Sequence, residues 1–300
     1  MIIALEIGLL YAIMALGVYL TYRVLDFPDL TVDGSFTTGA ATTAILLVNG
    51  VPIWLAMIAG MVAGMLAGAI TGLLHVWGNI NPLLAGILTQ IALYSINLRI
   101  MGNKANVPLL RTDTLFSWAR SEGLTGTWYS VAAFTVVVAI ACLIVYWFLG
   151  TSYGVALRAT GDNELMARSQ GINTGTTKIV GLMISNGMVA LCGALVAQFQ
   201  GFADISMGIG LIVAGLASVI VGQAIFGMTA VWQAVLAAAL GSVIYRAVIQ
   251  LALNNGFSPN DMKLISAVLV VLALVLPQWG PLKNLRRQRR RRQAAEAGVV

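Results

Sequence analysis

The chain is built from apolar runs of about twenty residues, each closed by a short polar break, a pattern that leaves few folds open. The runs cover 3–22, 33–49, 52–75, 81–100, 129–149, 178–199, 207–226, 230–252 and 262–279. At 1.5 Å of rise per residue, ~20 apolar residues cross a hydrocarbon layer ~30 Å thick. Lipid offers no partner to a backbone N–H or C=O, so apolar runs of this length are expected as α-helices that satisfy their own hydrogen bonds. The expectation is an all-α, polytopic transmembrane helical bundle of about nine spans, within a range of eight to ten. Composition agrees: 59% of residues are hydrophobic and 9% are charged, against about 25% charged in a soluble domain. No stretch is long and polar enough to form a separate soluble domain.

Charge sets the expected orientation. The first twenty residues lack the basic start of a cleaved signal peptide and read as a retained helix. The net charge of +6 is concentrated at the other end, where Lys283, Arg286, Arg287, Arg289, Arg290, Arg291 and Arg292 follow the last apolar run. After a membrane span such a cluster is an anchor on anionic lipids of the cytoplasmic leaflet, not a nucleic-acid arm. The chain thus divides into one membrane domain over 1–281 and a basic cytoplasmic tail over 282–300. Counting back four spans from an inside tail puts the loop 151–178 inside too, with Arg158, Arg168 and Lys178. An odd number of spans puts the amino terminus outside, and the segment 101–128 then also falls outside despite Lys104, Arg111 and Arg120.

Small residues predict where helices meet. Gly60, Gly64, Gly68 and Gly72 recur every fourth residue on the third run and line one helix face. That spacing permits close backbone approach, the main route to helix association in lipid, and marks this helix as a central one. Cys142 and Cys192 lie inside apolar runs and read as packing residues, not as a disulfide or a metal pair.

Catalytic constellations are lacking. His75 ends an apolar run with no acidic or cysteine companion nearby, and no metal-ligand set is apparent. No GxxxxGK[ST] phosphate loop occurs, so the sequence offers no P-loop for ATP. The informative segment is the 151–178 loop. Asp162 is placed to cap a helix over 163–170, Glu164 puts negative charge in its first turn, and Gly171 stands where a left-handed residue ends it. Leu165, Met166 and Ser169 share one face. A short, doubly capped helix with an apolar knob suits a docking element.

Arg158, Gly161, Asp162, Asn163, Glu164, Ala167, Gly171 and Ile172 resemble the LRAxGxNxxxAxxxGI stretch of permeases in the branched-chain amino acid and ribose importer superfamily. The family pattern often has two alanines where this chain has Met166 and Ala167. The stretches DFPDLTVDGSFTTGAA at 26–41, NINPLLAGILTQIALYSINLRIMG at 79–102 and NVPLL at 106–110 are similar to the permease branch grouped with tryptophan and tyrosine importers. The resemblance implies a type II importer-like permease in a bacterial plasma (inner) membrane, working as a homodimer with a separate ABC ATP-binding subunit that carries ATP and magnesium. It also implies a periplasmic or lipoprotein substrate-binding protein, a small-solute cargo with an aromatic amino acid preferred, and coupling to the ATPase through 158–172.

Polar side chains within apolar spans usually face a bundle interior or a water-filled path. Gln90, Tyr94 and Asn97 fall at spacings of four and three and form one stripe, with Asn81 and Ser95 nearby. Ser185 and Asn186, with Gln198 and Gln200, are further candidates, though any of them could equally be interhelical hydrogen-bond glue. Asp33, Arg99 and Arg246 are charges in or beside apolar sequence that need a partner or water. Asp29 or Asp33 is placed to cap the second helix. An ion-driven secondary transporter remains the alternative, with Asp33 or Arg99 as the coupling charge, against a shortage of intramembrane carboxylates and of any inverted repeat.

Overall fold

A computed structural model describes residues 2–110, 112–117, 122–123, 126–227, 230–255, 264–265, 267–268 and 271. The basic tail and most of the run at 262–279 lie outside these residues, as do Arg111 and Arg120. Among the described residues the long helices are α1 (Ile2–Tyr19), α2 (Thr31–Val48), α3 (Ile53–Val76), α4 (Pro82–Ile100) and α5 (Trp128–Gly150). Two short helices follow, α6 (Ser152–Asp162) and α7 (Glu164–Ser169), and then α8 (Thr174–Gln200), α9 (Leu211–Phe226) and α10 (Val231–Asn254). Six of the helical stretches are long and apolar enough to cross a membrane: Ile2–Val24, Ile53–Val76, Pro82–Ile100, Trp128–Gly150, Thr174–Gln200 and Val231–Asn254. The chain is therefore a multi-pass helical membrane protein. α2 is richer in threonine and small residues than these six, and nearly all of it is buried inside the bundle.

The core is built around α1 and α8. α8 packs on α3, α2 and α1, while α10 packs on α9 and α1. α1 contributes Leu10, Ile13, Met14 and Leu16, all almost fully buried, and ends in a π-helical turn over Leu20–Val24. The glycine face of α3 is buried as its spacing predicts, and it meets α8. A Cβ at Gly64 would overlap Ala190, one at Gly68 the carbonyl of Leu182, and one at Gly72 would approach Ile179. α3 is nonetheless not at the centre of the protomer, because its opposite face exposes Trp54, Ile58, Leu66 and Ile70. The residues whose closest backbone contacts hold the centre are Gly39 of α2, set against Ala190, and Gly193 of α8, set against the carbonyl of Phe36.

Two elements depart from the reading of the sequence. A two-stranded antiparallel ribbon pairs β1 (Asn106–Pro108) with β2 (Phe202–Asp204), in the register Asn106 to Asp204. It ties the end of α4 to the end of α8. The loop read between α5 and α7 is the helix α6, whose N-terminus is capped by the Thr151 hydroxyl accepting from Gly154 N at 3.2 Å.

Candidate docking helix and polar cleft

α7 is the loop helix expected from sequence, with its cap moved by one residue. Asp162 ends α6; Asn163 leaves helical geometry at φ −160° and its side chain accepts from Met166 N at 3.0 Å. Gly171 has φ +82°, the left-handed stop after the helix. Leu165 is 79% exposed and Met166 63%, whereas Ala167 at 3% turns inward. The two large apolar side chains thus project from the end of the protein where α8 begins.

The short helix is fastened there. Glu164 accepts from Lys178 Nζ of α8 at 2.7 Å and from Arg168 at 2.9 Å. It also accepts from the Thr174 hydroxyl at 3.2 Å, and Arg168 Nε donates to Thr174 at 2.8 Å. The hydrogen bond from Lys178 holds the Glu164 carboxyl below the ordinary carboxylate range, against a smaller opposing effect of partial burial. Lys178 Nζ also lies 3.5 Å from His75 Nε2, and His75 Nδ1 lies 2.9 Å from the carbonyl oxygen of Ile80, so the α3–α4 connection joins the same cluster. Gly161 serves packing: a Cβ there would overlap the carbonyl of Val24, so α6 rides directly on the end of α1. Arg158 lines a small pocket with Tyr19, Arg23 and Asp162, and Ile172 N donates to the carbonyl of Ala167 at 3.1 Å, closing the turn after α7.

A second feature lies toward the ribbon. α8 runs 27 residues from this cluster to β2, about 40 Å of helix. A cleft of about 410 Å³ opens beside α4 and reaches Ile205 and Ile209 just past the ribbon. Gln90, Tyr94 and Asn97, the stripe read from sequence, line it together with Ser95. Asp33 and Thr37 of α2 form the facing wall, and Ile91, Ile205 and Ile209 supply apolar surface. Asp33 is fixed in place, its two oxygens accepting from Gly210 N and Ile212 N at 2.7 Å each. It therefore caps α9, a partner 177 residues away, while Asp29 caps the start of α2 by accepting from Thr31 N at 2.9 Å.

Ser185 and Asn186 lie away from this cleft, in the buried seam between α8 and its neighbours. Ser185 donates to the carbonyl of Gly17 at 2.7 Å. Asn186 donates to Asp29 at 2.7 Å and accepts from the Ser35 hydroxyl at 2.7 Å. Gln198 is likewise buried and accepts from Leu115 N at 3.0 Å. Arg246 sits 3.9 Å above the ring of Tyr11, a cation–π contact, and Arg99 is exposed in the last turn of α4.

Sequence reasoning passed over Glu6, which is fully buried in α1 and accepts from Gly126 N at 2.8 Å and from the Ser130 hydroxyl. One carboxylate inside an apolar run was the available signal.

The comparisons with known proteins agree with this architecture. A family model described as the branched-chain amino acid transport system permease component matches residues 1–275. The tyrosine transport system permease protein of Clostridioides difficile (strain R20291) is 43% identical over 89% of this chain and 88% of its own. An uncharacterized protein, RP368, of Rickettsia prowazekii (strain Madrid E) is 33% identical over 91% and 96%. The galactofuranose transporter permease protein YtfT of Escherichia coli (strain K12) is 26% identical over 88% and 75%. Among solved structures, PsaBC from Streptococcus pneumoniae in complex with Fab superposes with a TM-score of 0.53 over 90% of this chain and 89% of that one, at 18% identity, a likeness of fold alone. Helical spans, a loop helix with an exposed apolar face and a family match over nearly the whole length converge: the chain belongs to the branched-chain amino acid transport system permease family, as the permease component of an ABC importer.

Proposed function

We propose that the chain carries a small solute, an amino acid with an aromatic one preferred, through a bacterial plasma membrane. ATP with magnesium binds and is hydrolysed on a separate ABC ATP-binding subunit, which docks on α7. The observation that carries this reading is α7 itself: two exposed apolar side chains, Leu165 and Met166, on a helix clamped through Glu164 to Lys178 at the start of α8. A push on so short a helix is passed to α8, and from α8 through Asn186 to the α2 segment at Asp29 and Ser35. Gln90, Tyr94 and Asn97 form the substrate path in this scheme, and Ser185 and Asn186 act as the polar seam that moves with it. The cargo assignment draws on the tyrosine transport permease that this chain is similar to over most of its length.

The proposal places α7, residues 151–178 and the tail 282–300 in the cytoplasm, the tail resting on anionic lipids. The ribbon end faces a periplasmic or lipoprotein substrate-binding protein. The permease domain is 1–281 with about nine spans, and a second copy completes a homodimer. The exposed apolar faces of α3 and α5 are available to lipid and to that copy. Replacing Leu165 and Met166 together by aspartate tests the reading: the variant complex should lose its ATP-binding subunit on purification and lose uptake, while the substrate-binding protein stays bound. Uptake at the normal rate would refute it.

A further inference from the structure

A residue of the cleft wall carries an unmatched buried acceptor, and its chemistry deepens the permease reading, on which it rests. Asn97 is 1% exposed and forms part of the cleft wall. Its Nδ2 donates to the carbonyl of Gly34 at 3.4 Å, which fixes the amide's orientation, since a flipped amide would set two oxygens against each other. The other end, Oδ1, is buried and has no hydrogen-bond partner among the described residues. A buried acceptor in that state is costly until a donor reaches it.

The surroundings say what kind of donor fits. The lining includes the Asp33 carboxylate and the polar groups of Thr37, Gln90, Tyr94 and Ser95, and no Lys, Arg or His among the described residues. Asp33 is held by the start of α9, so its negative charge is a fixed feature of the wall. The Tyr94 ring, 51% exposed, stands with Ile91, Ile205 and Ile209 as the apolar side of the same cleft. We propose that Asn97 Oδ1 accepts from the ammonium group of the cargo, in the field of Asp33, while Tyr94 and the isoleucines receive an apolar or aromatic side chain. Asn97 is then a specificity-determining residue for α-amino acids. A neutral sugar hydroxyl could reach the same oxygen but lacks the positive charge that an ammonium group brings to the field of the carboxylate.

The test uses the whole transporter in proteoliposomes, with the ATP-binding subunit and the substrate-binding protein, reading uptake of labelled L-tyrosine, L-tryptophan and D-ribose beside ATP hydrolysis. Asn97→Leu should lower amino acid uptake by about tenfold or more, the scale of an unpaired charged donor, while hydrolysis stimulated by the loaded binding protein persists. Asn97→Gln, which keeps both an amide donor for Gly34 and an amide acceptor, should retain clearly more uptake than Asn97→Leu. Normal uptake by Asn97→Leu overturns the assignment, and so does an equal loss in both variants, which marks Asn97 as a packing residue. Failure of the cargo reading has a different signature: the unsubstituted transporter would import ribose or neither amino acid. Glu164→Lys serves as the control in which stimulation of hydrolysis itself is lost.

Discussion

Glu164 gathers the contacts that fasten α7 into one carboxylate. It holds Lys178, Arg168 and Thr174 at once, and hydrogen bonding from Lys178 lowers its affinity for protons. A group whose folded pKa is depressed contributes its stabilisation above its ordinary value, here 4.5, and loses it only as pH falls through the lowered one. Transport should therefore show no titration from Glu164 between pH 6 and 8. Partly exposed ion pairs contribute up to ~1 kcal/mol, so Glu164→Gln should slow coupled uptake about fivefold, equally at both pH values; a defect that vanished at pH 6 would contradict this. Legibility at this scale followed sequence distance. The acidic first turn of α7, its left-handed stop at Gly171 and the Asp29 cap of α2 are local and were readable. The roles of Asp33 on α9 and Lys178 on Glu164 depend on folding that brings distant segments together.

Among the elements, the packing face of α3 is the one most nearly written in the sequence, because four glycines at a spacing of four can serve little besides close approach: Gly60 meets α2, and Gly64, Gly68 and Gly72 meet α8. Gly68→Leu would drive a side chain into the carbonyl of Leu182. Overpacking of this kind costs ~1–3 kcal/mol, so the unfolding midpoint in detergent should drop by several degrees. Gly150→Ala, with nothing within 4 Å, should leave it unchanged. Asp33→Ala should cost ~0.5–2 kcal/mol through the lost cap on α9, read as faster hydrogen exchange at the first turn of that helix. What the sequence hid were α6 and the ribbon. α6 is short and too polar to register as a span, and strands of three residues offer no periodicity to detect. The peripheral position of α3 was equally hidden, since a glycine stripe specifies a close neighbour and not which of the two helices is central.

At the scale of the whole molecule, α8 links two sites: the clamped α7 at its start and, through Asn186 at its middle and Ser35 of α2, the wall of the Asp33–Asn97 cleft. Membrane residence was legible from apolar run length alone, because the hydrocarbon layer imposes one length on every crossing. The link between the two sites was not legible, since it runs through Asn186, Asp29 and Ser35, residues whose contacts span more than 150 positions. In the proposed scheme the ATP-binding subunit engages this chain at α7. Both native cysteines, Cys142 and Cys192, are buried, so Met166→Cys introduces an accessible thiol that can be cross-linked in the intact transporter. The account predicts one dominant adduct, to the ATP-binding subunit, whose yield changes between the nucleotide-free and ATP-bound states. An adduct to the substrate-binding protein, or labelling of that thiol from the opposite side of the membrane, would contradict it.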